Sequence, residues 1–332
     1  MTRTAAWLLP AGVLLFAGVL ASQGVAAVFA TLAAAKWGLL PVSLFHLLPL
    51  VIDAAAIYVL FDTAAARGSW SGAVLARWVG ETANSVMPVG QIGGPLFMVR
   101  HLIQRGIRPR DAVAAITVST TFQTFAQLVF ALIGTLLALH ASRMPHHALG
   151  MSLLMGAGML GLMLSLFYLL QRRGLFARLA RLTARLAARR DWPKLVGRAE
   201  TIDQAIEHTH GRGNRIAASF ALSLVGWLVG TGEVYWMLGL LAHPVSWSDA
   251  LLVESLGQAI RGAGFAIPGS LGVQEGGYLL IAPLAGLPSD VGLALSLAKR
   301  AREILWALPG LLCWHRSEQA WRRHLTCAAL SE

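Results

Sequence analysis

The sequence has 332 residues, of which 56% are hydrophobic and 13% are charged, and its formal net charge is +11. This composition excludes an ordinary soluble domain and predicts an integral membrane protein. The basic residues are concentrated in a few segments between apolar runs, where the positive-inside rule accounts for them, so no nucleic-acid partner is predicted. The two cysteines, Cys313 and Cys327, indicate neither a disulfide framework nor a metal site.

About six apolar segments are long enough to cross a bilayer as helices. The first runs from about Ala6 to Ala34, and its length favours an uncleaved helix over a signal peptide cleaved between Ala30 and Ala35. The second follows Pro41 and contains Asp53. The remaining four spans are predicted at about 111–139, 150–172, 216–241 and 289–313. The predicted fold is therefore an all-α polytopic membrane protein.

Two segments between the predicted spans combine polar residues with helix breakers. The first follows Ser69 and contains Pro88, Gly90, Gly93 and Gly94. Two half-helices that meet at a glycine-rich turn fit this pattern better than one continuous span does, so we predict a re-entrant helical hairpin. The second segment, from about 249 to 286, is predicted to form another hairpin, with its turn at Pro268, Gly269 and Gly272.

The order of these features indicates a duplicated unit. A shift of about 180 residues aligns Asp53 with Glu233 and Pro88 with Pro268, and a shift of 179 aligns Asp111 with Asp290. The chain is therefore interpreted as one integral membrane domain, 1–332. Repeat one covers about 44–140, the fourth span and a basic loop cover 148–215, and repeat two covers about 216–315.

The arginine-rich segments predict how the repeats lie in the membrane. If 100–110 and 172–215 are both cytoplasmic, the first hairpin enters from the cytoplasm and the second from outside. The repeats are then inverted, as in transporters whose binding site lies at the repeat interface near mid-membrane. We predict a multi-pass protein of the bacterial inner (plasma) membrane with both termini in the cytoplasm.

The connection from Arg172 to Arg215 contains leucines and arginines that both recur at helical spacing. This pattern predicts a basic amphipathic helix. It fits binding to the inner-leaflet surface, and it equally fits a solvated linker helix that fixes the topology. The Glu207-His208-Thr209-His210 stretch is interpreted as part of a polar loop without metal, and no cofactor is predicted.

The sixth span carries an unusual group of charges for a membrane segment. Lys299, Arg302 and Glu303 are spaced i, i+3 and i+4, so they share one helix face at roughly 15 Å depth. A polar stretch of the third span, Thr117 to Gln127, could line the opposite wall. The candidate residues for binding a lipid headgroup are Lys299, Arg300, Arg302, Glu303, Glu275, Gln274 and Arg261.

Cations outnumber carboxylates near Lys299 to Arg302 in the sequence, which predicts positive charge left for a phosphate headgroup. The alternative is that these charges pair internally, for example Arg302 with Glu275 or Glu233, and only hold the hairpins in place. Asp53 and Glu233 are candidates for proton coupling. No arrangement indicates nucleophilic catalysis, so no enzyme activity is expected.

Three stretches together resemble a known family. They are Pro268-Gly269-x-x-Gly272-x-Gln274-Glu275-Gly276, Leu-x-Gly-Leu-Pro at 284–288, and Ala-Leu-Ser-Leu-Ala-Lys-Arg-Ala-Arg-Glu at 294–303. They are similar to the lysylphosphatidylglycerol synthase transmembrane region, or flippase-like, family. That resemblance implies handling or flipping of lipids across the inner membrane, with hopanoid or anionic phospholipid as the partner.

Within the family, Gln274-Glu275 and the charged helix look most like the hopanoid-associated HpnL subgroup, whereas many members have Arg-Glu at this position. This difference argues against an aminoacyl-phospholipid substrate, and the short segment after the sixth span argues against synthase activity. The leading hypothesis is a lipid translocase or lipid-binding transporter. The alternatives are a scaffold that recruits lipid-biosynthesis enzymes through 172–215 and, with less support, an intramembrane lipid-modifying enzyme.

Overall fold

The computed structural model describes residues 36–61, 70–86, 93–140, 147–186 and 192–330, and every regular element in these ranges is helical. The α-helices are α1 (Leu39–Phe45), α2 (Leu47–Tyr58), α3 (Trp70–Val86), α4 (Gly93–Gln104), α5 (Pro109–His140), α6 (His147–Arg172), α7 (Leu175–Leu186), α8 (Trp192–His210), α9 (Gly213–Leu240), α10 (Trp247–Ala263), α11 (Val273–Ile281) and α12 (Ser289–Leu330). Short 3-10 helices cover Lys36–Gly38, Pro268–Ser270 and Ala282–Ala285.

Three of the described helical segments are long and apolar enough to cross a membrane: Leu40–Tyr58, Pro109–His140 and Gly213–Leu240. They correspond to the second, third and fifth predicted spans, and with the helical content they confirm an all-α polytopic membrane protein. The first predicted span lies outside the described residues. The sixth is α12, which was predicted wrongly to end at Cys313 but continues to Leu330 because no glycine or proline follows Gly310.

Both predicted hairpins correspond to pairs of packed half-helices. In the first pair, α3 packs along α4, and the Gly94 backbone N–H donates a hydrogen bond to Asn84 Oδ1 at 2.8 Å. Pro88 and Gly90 lie outside the described residues, whereas Gly93 and Gly94 begin α4. In the second pair, the 3-10 turn at Pro268–Ser270 separates α10 from α11.

The turn of the second hairpin uses backbone conformations that favour glycine. Gly269 has a φ of 60° and Gly272 a φ of 77°, both in the left-handed region. A Cβ added to Gly269 would lie only 3.0 Å from the Ser85 carbonyl oxygen at the end of α3. The turn of hairpin two therefore lies against the end of α3.

The long helices exchange contacts between the repeats. The first arm of hairpin one, α3, packs on α12, and the first arm of hairpin two, α10, packs on α5. Each crossing has a glycine at the point of closest approach. A Cβ at Gly310 of α12 would lie 2.1 Å from Thr82 Oγ1, and one at Gly134 of α5 would lie 1.8 Å from Ser255 Oγ. The first arm of each hairpin therefore packs on a long helix from the other half of the chain.

The basic connection folds as two helices, α7 and α8, that pack on each other. The predicted amphipathic helix is α7, and the Asp203 carboxylate of α8 accepts hydrogen bonds from Phe176 N at 3.1 Å and Ala177 N at 2.7 Å. Asp203 thus satisfies amide groups in the first turn of α7 that would otherwise lack partners.

Residues 207–210 lie in the last turn of α8 rather than in the predicted loop. The pattern of buried residues explains this difference, because Ile206 and His210 share one face and both are buried against neighbouring helices. His210 packs edge-on against the Tyr168 ring at a centroid distance of 5.0 Å. Burial, together with the nearby Arg172 charge, lowers the pKa of His210 to about 4, so the ring is neutral near pH 7.

The glycine crossings give a test of the packing. We expect Gly134→Leu or Gly310→Leu to lower stability by about 1–3 kcal/mol or more, because the new side chain overlaps a neighbouring helix. Gly158→Leu on α6 is the control, since a Cβ there meets no atom within 4 Å. Thermal unfolding in detergent measures the difference. Equal midpoints for all three variants would contradict the described crossings.

Candidate functional site

A polar cavity of about 210 Å³ lies between residues 44–140 and 216–315, the two segments predicted as repeats one and two. Residues of both repeats form its walls, including the α1–α2 junction and α2, α3, α5, α9, α10 and α12. The predicted polar stretch of the third span and Arg302 of the sixth face this same cavity. Its polar lining is His46, Asp53, Arg77, Glu81, Asn84, Ser85, Thr120, Gln123, Thr124, Gln127, Glu233, Glu254, Gln258, Arg261 and Arg302.

His46, which separates α1 from α2, joins the two repeats through its ring nitrogens. Nε2 lies 2.7 Å from Glu81 Oε1 of hairpin one, and Nδ1 lies 3.0 Å from Glu233 Oε2 of α9. Arg302 Nη1 donates to the same Glu233 oxygen at 2.6 Å and also contacts His46 Nδ1. One imidazole, two carboxylates and one guanidinium thus form a continuous hydrogen-bonded chain across the cavity.

The Nδ1 atom of His46 faces both a donor and an acceptor. When Nδ1 is unprotonated it accepts a hydrogen bond from Arg302, and the Nε2 proton is donated to Glu81. When Nδ1 is protonated, it donates a hydrogen bond to Glu233 instead. Its N–H group then faces the guanidinium N–H of Arg302, and the two donors repel each other. The protonation state of His46 therefore decides which of the two neighbours it binds.

The Asp53 carboxylate in repeat one accepts hydrogen bonds in a way similar to the Glu233 carboxylate in repeat two. Asp53 Oδ2 accepts hydrogen bonds from Arg77 Nη2 at 2.6 Å and from Gln123 Nε2 at 2.8 Å. The shifts that relate the repeats place Asp53 on Glu233 and Gln123 on Arg302. Asp53–Gln123 and Glu233–Arg302 are therefore corresponding contacts, made once in each repeat.

Lys299 lies behind the cavity wall and forms a buried ion pair with Glu254 of the lining, with Nζ and Oε2 2.5 Å apart. Glu254 also accepts hydrogen bonds from Tyr278 Oη at 3.1 Å and from Gln258 Nε2 at 2.8 Å. The Lys299 side chain is only 2% exposed. This ammonium group is therefore buried in an ion pair that joins α10 to α12.

A second group behind the wall connects hairpin two to α12. Arg300 Nε donates to Glu275 Oε1 at 2.8 Å, and Arg300 Nη1 donates to Glu303 Oε2 at 3.2 Å. Arg261 Nη1 donates to the other oxygen of Glu303. The second oxygen of Glu275 accepts the Gly272 backbone N–H at 2.7 Å. These bonds fix the turn of hairpin two against the charged face of α12.

The prediction that cations outnumber carboxylates around Lys299 to Arg302 is wrong. Around the cavity and behind its wall, the six carboxylates are opposed by five cationic side chains and one imidazole. The carboxylates are Asp53, Glu81, Glu233, Glu254, Glu275 and Glu303, and the cations are Arg77, Arg261, Lys299, Arg300 and Arg302. Counting charges near 299–302 in the sequence gave the wrong balance, because five of the six carboxylates come from other helices.

Only two of the predicted headgroup residues line the cavity, namely Arg261 and Arg302. The other five, Lys299, Arg300, Glu303, Glu275 and Gln274, lie behind the wall, where Gln274 Nε2 donates to Ser296 Oγ at 3.2 Å. Both carboxylates predicted for proton coupling, Asp53 and Glu233, do line it. The predicted turn residues of hairpin two lie near the cluster, since a Cβ at Gly269 would be 3.6 Å from Arg300 Nη1.

Several lining residues were not among those predicted for headgroup binding or proton coupling. His46, Arg77, Glu81, Glu254 and Gln258 all face the cavity. Helical spacing gave a usable signal, because Arg77 and Glu81 are i, i+4 on α3 and Glu254 and Gln258 are i, i+4 on α10. The repeat shift of 177 places Arg77 on Glu254 and Glu81 on Gln258, so the two hairpins present polar residues at equivalent positions.

Comparison with known proteins gives one match. The sequence model of the family described as lysylphosphatidylglycerol synthase TM region matches residues 7–310, which is most of the chain. No curated protein and no solved structure matches the chain.

The buried pair behind the cavity can be tested by a double-mutant cycle. We expect Glu254→Gln to lower the free energy of unfolding by about 3–5 kcal/mol, because it leaves the Lys299 ammonium buried without its carboxylate. Lys299→Met combined with Glu254→Gln removes both charges and should be less destabilising than the sum of the single changes. Denaturant unfolding in mixed micelles measures the cycle. Additive effects would contradict the pair.

Proposed function

From the premise that the chain belongs to the lysylphosphatidylglycerol synthase TM region family, we propose that it translocates a membrane lipid or binds one for transport. The family indicates a membrane protein involved in lipid handling. The cavity between the repeats supports a location for this role. In the proposal, the polar lipid head enters the cavity while the acyl or ring portion stays among apolar side chains.

The observation that carries the proposal is a polar cavity with unused hydrogen-bonding atoms in its wall. Arg77 Nε, Arg302 Nε and Glu233 Oε1 are buried and have no hydrogen-bond partner among the described residues. Buried polar groups without partners are rare in proteins and call for an explanation. These two donors and one acceptor belong to residues that line the cavity, and they suit a headgroup that carries both acceptor and hydroxyl groups.

The outer surface of the helices is apolar, as a lipid tail requires. Leu162 is 70% exposed, Leu280 69% and Leu312 60%. Contiguous exposure of such side chains is unfavourable in water but normal against hydrocarbon. A lipid whose head occupies the cavity would therefore keep its tail in contact with surfaces of matching polarity.

The balance of charge bears on the identity of the lipid. Because the carboxylates around the cavity oppose nearly equal positive charge, the site does not attract an anion through excess charge. Recognition would depend on directed guanidinium hydrogen bonds, which suit a phosphate or a hydroxylated head. We propose a hopanoid-linked lipid or a phospholipid as the substrate, in the bacterial inner membrane with both termini cytoplasmic.

Proton coupling is part of the proposal. Asp53 and Glu233 each accept hydrogen bonds from a cationic side chain at the cavity wall, and His46 links Glu233 to Glu81. A change in the protonation of His46 would exchange its Arg302 contact for its Glu233 contact. Such an exchange joins residues of both repeats and offers a way to bias one repeat against the other.

The second candidate function is a scaffold without transport, which recruits lipid-biosynthesis enzymes through residues 172–215. The exposure of Arg178 and Arg181 on α7 favours this alternative. Catalysis is not part of the proposal, since the titratable groups of the cavity form ion pairs rather than a nucleophile–base constellation.

Reconstituted vesicles test the transport proposal. We expect Arg302→Ala to slow the movement of headgroup-labelled lipid between leaflets about tenfold or more, because a charge-assisted hydrogen bond is lost. Arg100→Ala is the control, since Arg100 pairs with Glu318 away from the cavity. Thr120→Val, which removes one lining hydroxyl without disturbing an ion pair, should slow transport less. Unchanged rates for both lining variants would refute the site.

The scaffold alternative predicts a different pattern. If the protein is a scaffold and α7 recruits partner enzymes, Arg178→Gln with Arg181→Gln should reduce the lipid product in cells, and vesicles that contain the wild-type protein should show no lipid transport. If transport is the function, that double variant should behave as wild type in vesicles and Arg302→Ala should be impaired in both assays. Lipid analysis of the two leaflets, compared with total lipid, separates these outcomes.

A further inference from the structure

A second cavity, of about 260 Å³, lies at one end of the spanning helices. Its lining comes from the last residues of the α2 segment, the first turns of α5, the last three turns of α8 and the residue before α9. It shares no lining residue with the cavity between the repeats. Since α2, α5 and α9 belong to the three candidate membrane spans, this cavity lies at a boundary between membrane and water.

Arginine side chains give this second cavity a positive lining. Three arginines, Arg108, Arg110 and Arg212, face it together with one carboxylate, Asp111. Arg108 Nε lies 2.6 Å from Asp111 Oδ2, and Arg110 Nε lies 3.6 Å from Asp111 Oδ1. A single carboxylate therefore holds two guanidinium groups in position, and the described lining keeps more positive than negative charge.

The opposite wall is built by α8. Arg212 Nη2 lies 2.7 Å from His208 Nε2, and because the guanidinium can only donate, the His208 nitrogen is the acceptor. Thr201 and Gln204 add neutral polar groups to the same wall. The base is apolar, with Leu60, Phe61 and Ala114. Cationic groups thus surround a small space with a hydrophobic floor.

The helix that starts at the cavity strengthens its attraction for an anion. α5 begins at Pro109, so the positive end of its dipole points toward the space between Arg108 and Arg110. The side chains of Arg108 and Arg110 are 59% and 48% exposed, so the entrance is open to water. Guanidinium groups bind phosphate through charge-assisted, bidentate hydrogen bonds, and a helix N-terminus adds favourable dipoles.

We propose that this second cavity is a binding site for a phosphate group, distinct from the site of lipid translocation. Basic pockets at the ends of spanning helices bind anionic lipid headgroups, and the position of the cavity at the membrane boundary fits a phospholipid phosphate. A free phosphate ion has the same chemistry and would use the same guanidinium groups. The site does not depend on the proposed function of the first cavity.

The test uses the full-length protein in detergent, titrated at fixed ionic strength with two probes: short-chain phosphatidylglycerol and inorganic phosphate. The site variant is Arg108→Gln with Arg212→Gln. The control variant is Arg105→Gln with Arg198→Gln, which removes the same charge from exposed arginines outside the cavity. We expect the site variant to bind the effective probe about tenfold more weakly than wild type, and the control to bind as wild type does.

The probes distinguish the two sources of phosphate. If only phosphatidylglycerol binding falls in the site variant, the ligand is a lipid headgroup. If inorganic phosphate binding falls in the same way, the ligand is a free phosphate. Equal binding by both variants, or no binding of either probe by wild type, overturns the proposal. Should the site variant fail to fold, Gln204→Glu places a carboxylate in the lining; unchanged affinity in that variant also overturns the proposal.

Discussion

The structure depends on the requirement that an ionisable group within a membrane domain has an oppositely charged or hydrogen-bonded partner. Arg302 meets this requirement by donating to Glu233, and His46 extends the contact to Glu81 of the first hairpin. The contact joins helices that are far apart in the sequence. The same ion pairs that make the charges tolerable therefore hold the two repeats around a common cavity.

This pairing determines what the cavity can do. Because the charges nearly cancel, a ligand is selected by directed donors and acceptors rather than by bulk attraction. The remaining Arg302 Nε and Glu233 Oε1 atoms lie in the wall without partners among the described residues. The second, arginine-lined cavity at the ends of the spans differs in this respect, since its excess positive charge suits an anion. These two cavities of the described residues thus differ in electrostatic character.

Much of the fold could be predicted from the sequence, because apolar runs, helix breakers and an internal repeat are local or periodic signals. The polar face of α5, from Thr120 to Gln127, was placed correctly opposite Arg302. The pairing partners of these charges could not be predicted, because the Lys299–Glu254 ion pair joins residues 45 positions apart on different helices. Helical spacing groups Lys299 with Arg302 on one face but does not show that only Arg302 reaches the cavity. The end of α12 was missed because charge alone does not stop a helix.

The central claim is that the cavity between the repeats is the path of a lipid headgroup. Cysteine modification tests it most directly, in a background in which Cys313 and Cys327 are replaced by alanine. Gln123→Cys places a thiol in the cavity wall, and Gly158→Cys places one on the outer side of α6, where no atom lies within 4 Å of the new Cβ. Reaction with a bulky hydrophilic thiol reagent should block lipid movement in Gln123→Cys vesicles and leave Gly158→Cys vesicles active. Continued transport after complete modification of Gln123→Cys would contradict the account.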